Sequence, residues 1–197
     1  MTASANNSCF TLETLDRRRS VPARQLGEPG PDEPTLLRML RSASRVPDHG
    51  KRVPFRFIKI AGDARATLGE ALAAITLQRD RDAGEAALDK DRRRFSHAPV
   101  VVAVVAVLDP HDAQIPEQER LLTSGCVCFA LLQAAQAMGF GACWLTGWPA
   151  YHADSLALLG VGEHERVAGF IHIGTPKTAA PERERPDPAT LLSDYAP

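Results

Sequence analysis

The spacing of apolar positions changes period several times along the chain, and each change marks an element. Leu12 and Leu15 stand at helical spacing within Thr11 to Asp16 and predict a short helix that delivers Arg17-Arg18-Arg19-Ser20 at its end. Asp32 is placed to cap a second helix, Pro34 fits its first turn, and Leu36, Leu37, Leu40 and Ala43 form its apolar face. That helix is expected to stop near Val46, because Pro47 disfavours helical backbone in the residue before it. Phe55 to Ile60, Phe-Arg-Phe-Ile-Lys-Ile, reads as a partly exposed strand, and Ala61-Gly62-Asp63 as the turn into a helix that begins near Ala64.

Pro99 to Leu108 is a β-branched run without alternation, which predicts a central strand covered on both faces. Leu121 to Met138 is apolar around almost its whole circumference but too short to span a bilayer, so it predicts a helix buried in the core or in a dimer interface. Gly139-Phe140-Gly141 stops that helix and opens a short strand through Trp144 that turns at Gly147. Arg166 to Ile173 is the last strand, closed by Gly174-Thr175-Pro176 and followed by a tail rich in Pro, Arg and Glu. Between Gln78 and Arg94 opposite charges are interleaved, the composition of a solvated helix or mobile excursion; surface is preferred there over a lid.

Composition narrows the setting. With 197 residues, 44% hydrophobic and 24% charged, the chain fits one domain over residues 12–197 with a flexible tail at 1–11. A net charge of −1, from 23 basic and 24 acidic residues, leaves no global field toward nucleic acid or an anionic membrane, so a basic patch must be local. Cys9, Cys126, Cys128 and Cys143 show no disulfide framework spacing, and residues 1–10 carry no secretory signal pattern, so a reducing cytoplasm is the expected location.

The candidate chemistry is basic. Arg18-Arg19-Ser20 and Arg45-Val46-Pro47-Asp48-His49-Gly50 flank the second helix, and guanidinium forks beside a hydroxyl match the oxygens of a phosphate. An exposed arginine run alone is more often solvated surface; His49, held behind a rigid Val-Pro-Asp turn, raises the pair by placing Arg45 and His49 at one spot. No metal site is expected, because His49, His97, His111, Glu117 and Glu119 lack ligand spacing and Cys126 and Cys128 point to different faces of one helix. No nucleophile elbow, phosphate-loop lysine or dinucleotide fingerprint is present; Gly139-Phe140-Gly141 lacks the third glycine and follows a helix. For Trp144 and Trp148, core filling is the plain reading.

Taken together, Arg18-Arg19-Ser20, Arg45-x-Pro47-Asp48-His49, Pro54-Phe55-x-Phe57, the helix from Glu119 to Gly139, Trp144-x-Thr146-Gly147 and Gly169-Phe170-Ile171-x-Ile173-Gly174-Thr175-Pro176 resemble the nitroreductase family, especially its short-chain members, over about residues 12 to 188. The resemblance implies an α+β fold with a central mixed, mostly antiparallel sheet flanked by helices, and a homodimer with FMN at the subunit interface. It also implies hydride transfer from NADH or NADPH to nitroaromatic or quinone-like acceptors, with no membrane or nucleic-acid partner. By the same resemblance Arg18, Arg19 and Ser20 contact FMN, Arg45 and His49 are supplied by the second subunit, and Trp144, Leu145 and Thr146 form the turn at the flavin. A C-terminal arginine near the phosphate falls on Arg185, with Arg183 as the alternative.

The chemistry then resides in the flavin and no catalytic side chain is required: a fixed arginine or backbone N–H stabilises the negative charge that a reduced flavin carries near N1 and O2. One open ring face, visited in turn by donor and acceptor, implies ping-pong kinetics. The chain departs from the family at Val53-Pro54-Phe55, where Gln-Pro-Trp is frequent, and at Leu145, whose position is variable and sometimes basic in relatives, so that a backbone contact is the one to expect there. The first departure motivates an alternative, a flavin-binding sensor or flavin-handling protein without significant turnover. A module binding RNA or polyphosphate rests on the arginine runs alone and is set aside.

Overall fold

The computed structural model describes residues 12–196; the predicted tail at 1–11, with Cys9, lies outside the described residues. In chain order the elements are helix α1 (Leu12–Asp16), strand β1 (Leu26–Gly27), α2 (Glu33–Ala43), β2 (Phe55–Ala61), α3 (Ala64–Arg79), α4 (Glu85–Arg92), β3 (Val100–Val107), α5 (Glu117–Ala137), β4 (Gly141–Leu145), α6 (Ala153–Leu158) and β5 (Glu165–Pro176). The Asp32 carboxylate accepts the Thr35 N–H at 2.9 Å and caps α2, as its sequence position predicts. The last strand runs three residues beyond Ile173, because Gly174 pairs with β4 and Thr175 and Pro176 pair with β1.

The strands form one five-stranded sheet in the order β1-β5-β3-β2, with β4 also paired to β5, and every pairing is antiparallel. Strand β3 is central, and its alternate side chains enter two cores. Val100, Val102 and Val104 pack with Leu36 and Met39 of α2 and with Val127, Leu131 and Ala135 of α5. Val101 and Ala103 face Leu72 and Ile75 of α3 together with Phe95 and Phe170. Covering both faces explains why the run lacks polar alternation; each fully buried valine contributes about 1.5–3 kcal/mol.

The interleaved charges before β3 do not form a mobile excursion. Residues 85–92 are helical and pack on α3, with Leu88 and Asp91 buried. The approach is close enough that a Cβ added to Gly69 would overlap the main-chain carbonyl of Arg92. The charge pattern reports only the outer face, where Arg92 pairs with Glu70 and Glu85.

Strand β5 carries a bulge. Val104 opposes Gly169 and Val105 opposes Val167, leaving Ala168 as the extra residue. The carbonyl of Ala168 accepts the indole N–H of Trp144 at 3.1 Å, and a Cβ on Gly169 would overlap that indole. Bulge and glycine together seat Trp144 at the end of β4.

Gly69→Ala is a sharp test of the helix contact. Replacing an internal helical glycine normally gains about 0.5–1 kcal/mol. Here overpacking against Arg92 is expected to reverse the sign and cost about 1–3 kcal/mol. Urea unfolding measures it, and a raised midpoint would mean that α4 does not lie against α3.

Candidate functional site

Two chain ends meet at the arginine motif. The Arg18 guanidinium donates to Ser20 Oγ at 3.3 Å and lies 5.9 Å from the ring centroid of Phe129 on α5. Arg19 donates to the carbonyls of Asp16 and Arg18 and pairs with Glu182 from the C-terminal tail. Arg183 and Arg185 line the same hollow as Arg18 and Arg19. Burial, then the charges of Arg185 and Arg19, hold Arg18 below the usual arginine range. Four arginines line this hollow with two acidic residues, Asp16 and Glu182, and Glu182 pairs with Arg19 and Arg185, leaving a charge surplus suited to an anion.

Arg183 also borders a larger cleft of about 790 Å³. Ser20 and Arg24 form one wall, and Cys143, Trp144 and Leu145 at the end of β4 form another. The third wall comes from α4 and the residues after it: Lys90, Arg93, Arg94 and His97. Thr146 follows β4 directly, half-buried, and leads into Gly147 at φ 89°, a left-handed backbone that glycine adopts without a Cβ penalty. The structure thus brings Ser20, Trp144 and Leu145 together, and Arg18, Arg19 and Arg185 beside them.

Arg45 and His49 do not share one spot within the chain. Arg45 lines a separate cavity of about 600 Å³ with Arg18 and Arg38, between α1, α2 and α5. His49 turns the other way, its Nδ1 2.6 Å from Glu119 in the first turn of α5. The reason is local: the Asp48 carboxylate accepts the N–H groups of Arg52 and Val53 at 3.1 and 2.8 Å, coiling the loop around Asp48 and carrying His49 outward. Within that loop Val53 takes φ 48°, a strained setting for a β-branched residue.

Sequence reading missed the α4 wall. Asp91, 4% exposed, accepts Thr76 Oγ1 at 2.7 Å, Arg94 Nε and a terminal Arg94 nitrogen at 3.1 and 2.7 Å, and Trp148 Nε1 at 3.1 Å. Burial pushes its carboxyl up, but the hydrogen bonds from Thr76, Arg94 and Trp148 together hold it below the usual carboxylate range. Asp91 thereby ties α3, α4 and the turn after β4 into one unit and fixes Arg94 beside Gly147. The available signal was Asp91 at i,i+3 from Arg94 ahead of buried Phe95; neighbouring charges hid it.

Two histidines lie under this wall. His172 on β5 is 1% exposed, stacks on Phe95 with ring centroids 6.0 Å apart, and its Nδ1 has no hydrogen-bond partner among the described residues. Burial, then His97 and Arg94, push it down to about 4. Burial, then Arg24, Arg93 and Lys177, lower His97 as well. Burial pushes the Cys143 thiol at the cleft wall up to about 11, so it is protonated at neutral pH and no nucleophile. Among the described residues no three His, Cys, Asp or Glu side chains are grouped to hold a metal ion, and no helix is long and apolar enough to cross a membrane.

The architecture matches solved structures. The nitroreductase-like family protein of Bacillus cereus superposes with a TM-score of 0.79 at 21% identity, over 95% of this chain and 98% of that one. A nitroreductase with bound FMN from Bacteroides fragilis superposes with a TM-score of 0.69 at 20% identity, over 96% and 100%. In sequence the chain is 32% identical over 185 residues, 93% of its length and 98% of the relative's, to the Escherichia coli (strain K12) protein named "Putative NAD(P)H nitroreductase YdjA". The nitroreductase family model matches residues 15–175, and the chain belongs to the nitroreductase family.

His172 gives a signed pH dependence. Its pKa falls from about 6.5 in the unfolded chain to about 4 in the folded protein, so as pH drops through this window the unfolded state takes up a proton that the folded state refuses. Stability contributed by this residue is whole above pH 6.5 and lost on acidification, by roughly 2–3 kcal/mol between pH 7 and 4.5. His172→Phe is expected to flatten that part of the profile in urea titrations at the two pH values; an unchanged slope would assign it to other groups.

Proposed function

We propose that the protein is an FMN-dependent oxidoreductase that uses NADH or NADPH to reduce nitroaromatic or quinone-like acceptors. The observation that carries this reading is the convergence of Arg18, Arg19, Arg183 and Arg185 beside Ser20, next to a cleft walled by Trp144 and Leu145. The surplus of guanidinium charge fits a phosphate, and the exposed apolar faces of Trp144 and Leu145 fit a flat ring system. Arg18, Arg19 and Arg185 would hold the FMN phosphate, with Ser20 adding its hydroxyl, while Trp144, Leu145 and Thr146 border the flavin. Bound there, FMN would supply the redox chemistry between the nicotinamide donor and the acceptor, in alternating, ping-pong half-reactions.

The chain's own groups bind, orient and stabilise. The positive wall favours the negative charge of the reduced state. No protein nucleophile takes part. The family relationship and the name of the Escherichia coli relative support the nicotinamide donor.

Helix α5 supports a homodimer. Leu121, Leu122, Cys126 and Phe129 are exposed and line a groove with Val46 and Pro47; Leu122 is 61% and Phe129 42% exposed. A second copy covers this face, in our reading, and its Arg45 and His49 complete the FMN site from across the interface. Residues 12–197 work as one domain, in the cytoplasm. A flavin-handling protein without turnover remains the second reading, favoured by Val53, whose exposed aliphatic side chain offers the ring no polar contact.

The visible spectrum is the deciding experiment: the purified protein should absorb near 450 nm and bleach anaerobically with NADH or NADPH. A spectrum that fails to bleach favours the second reading, and no flavin after reconstitution defeats both. Arg19→Ala and Arg185→Ala each remove a charge-assisted contact of about 1.5–3 kcal/mol, so FMN dissociation constants should rise roughly 10- to 150-fold by fluorescence titration. Unchanged values in both would overturn the assignment. Leu122→Asp should give a monomer by sedimentation and a colourless protein; a yellow monomer would separate flavin binding from dimerisation.

A further inference from the structure

The cleft carries more positive charge than a flavin phosphate accounts for. Arg18, Arg19 and Arg185 gather at its Arg183 end. The same cleft is lined by Arg24 and Lys90, which form no ion pair among the described residues, and by one carboxylate, Asp89. Arg93 and Arg94 accompany them, each with its own carboxylate, Asp89 at 3.0 Å and Asp91 at 2.7 Å. Asp91 is buried and fully engaged, so it fixes Arg94 without presenting a negative face to the cleft.

The interior responds to this imbalance. His97, on the cleft wall, is depressed by burial and then by Arg24, Arg93 and Lys177, and His172 behind it by burial and then by His97 and Arg94. The Nδ1 of His172 stays unpartnered although 99 parts in 100 of the residue are covered, since the exposure is 1%. Within the same cleft the indole of Trp144 and the side chain of Leu145 offer an exposed apolar surface. With that surface given to the flavin ring in the proposed site, the unpaired Arg24 and Lys90 of the same cleft suit an aromatic acceptor that bears a carboxylate or similar anion.

We infer that Lys90 and Arg24, which line one cleft from two of its walls, form an anion subsite that selects aromatic acceptors carrying a negative group. The inference rests on the proposed reduction at this cleft. Each turnover with a nitroaromatic would take a hydride from NADH and one proton from water, convert the nitro group to nitroso, release one water and leave NAD⁺. The charge of the acceptor is not consumed, so it acts through binding alone, and its effect should be screened by salt.

The test compares 4-nitrobenzoate with neutral 4-nitrobenzamide in the holoprotein. For Lys90→Gln, kcat/KM toward the benzoate should fall about tenfold while the amide changes less than twofold, with Lys90→Arg restoring the preference. Raising salt should erode the wild-type preference and leave that of the glutamine variant flat. A readout independent of turnover is the dissociation constant of benzoate, followed by perturbation of flavin absorbance, expected to rise about tenfold in Lys90→Gln. Equal effects on both acceptors, or no effect on either, overturn the subsite. A rise in KM for NADH with the benzoate unaffected also overturns it, since these cations would then serve the phosphates of the donor. If NADH and NADPH fail to bleach the flavin, the proposed reduction falls, and the benzoate titration still decides whether these cations bind an aromatic anion.

Discussion

Strand β5 is the constraint on which the rest of the structure depends. It pairs with β3, β4 and β1, so its twelve residues hold the sheet together. The bulge at Ala168 turns one of its carbonyls out of the ladder and toward Trp144. Because Gly169 has no Cβ, the indole lies directly against the strand. A straight, fully paired β5 would have no free carbonyl there, and the floor of the cleft would lose its aromatic side chain.

The second organising element is a single buried carboxylate. Asp91 collects donors from Thr76, Arg94 and Trp148, so α3, α4 and the turn after β4 share one polar anchor within an otherwise apolar contact. Removing such a group would leave the part-buried donors of Thr76, Arg94 and Trp148 without their acceptor, which is why networks of this kind are rigid when complete. That rigidity sets the position of the cationic wall. Burial lowers the proton affinity of His97 and His172, and the cations of the same wall add to it.

Charge therefore divides the site into functions. The arginines from the two ends of the chain suit a phosphate, the exposed faces of Trp144 and Leu145 suit a ring, and Lys90 and Arg24 line the same cleft as that ring surface. The exposed stripe on α5 and the Arg45 cavity adjoin the arginine cluster through Arg18, and there a second copy has an apolar surface to bury.

Much of this was legible in the order of residues. The valine run of β3, the capped helix α2, the largely apolar α5 from Leu121 onward and the short strand through Trp144 follow from periodicity and caps, because those signals are local. The six motifs in register marked the nitroreductase family. Tertiary structure alone decided the rest. The charged stretch before β3 looked like surface, since a helix that buries only Leu88 and Asp91 leaves no strong apolar stripe. His49 was separated from Arg45 by the hydrogen bonds of Asp48 and the pull of Glu119, seventy residues on. Which cations remain without a carboxylate is a question of distances across the fold, and composition, with its near balance of 23 basic and 24 acidic residues, carries no trace of the answer.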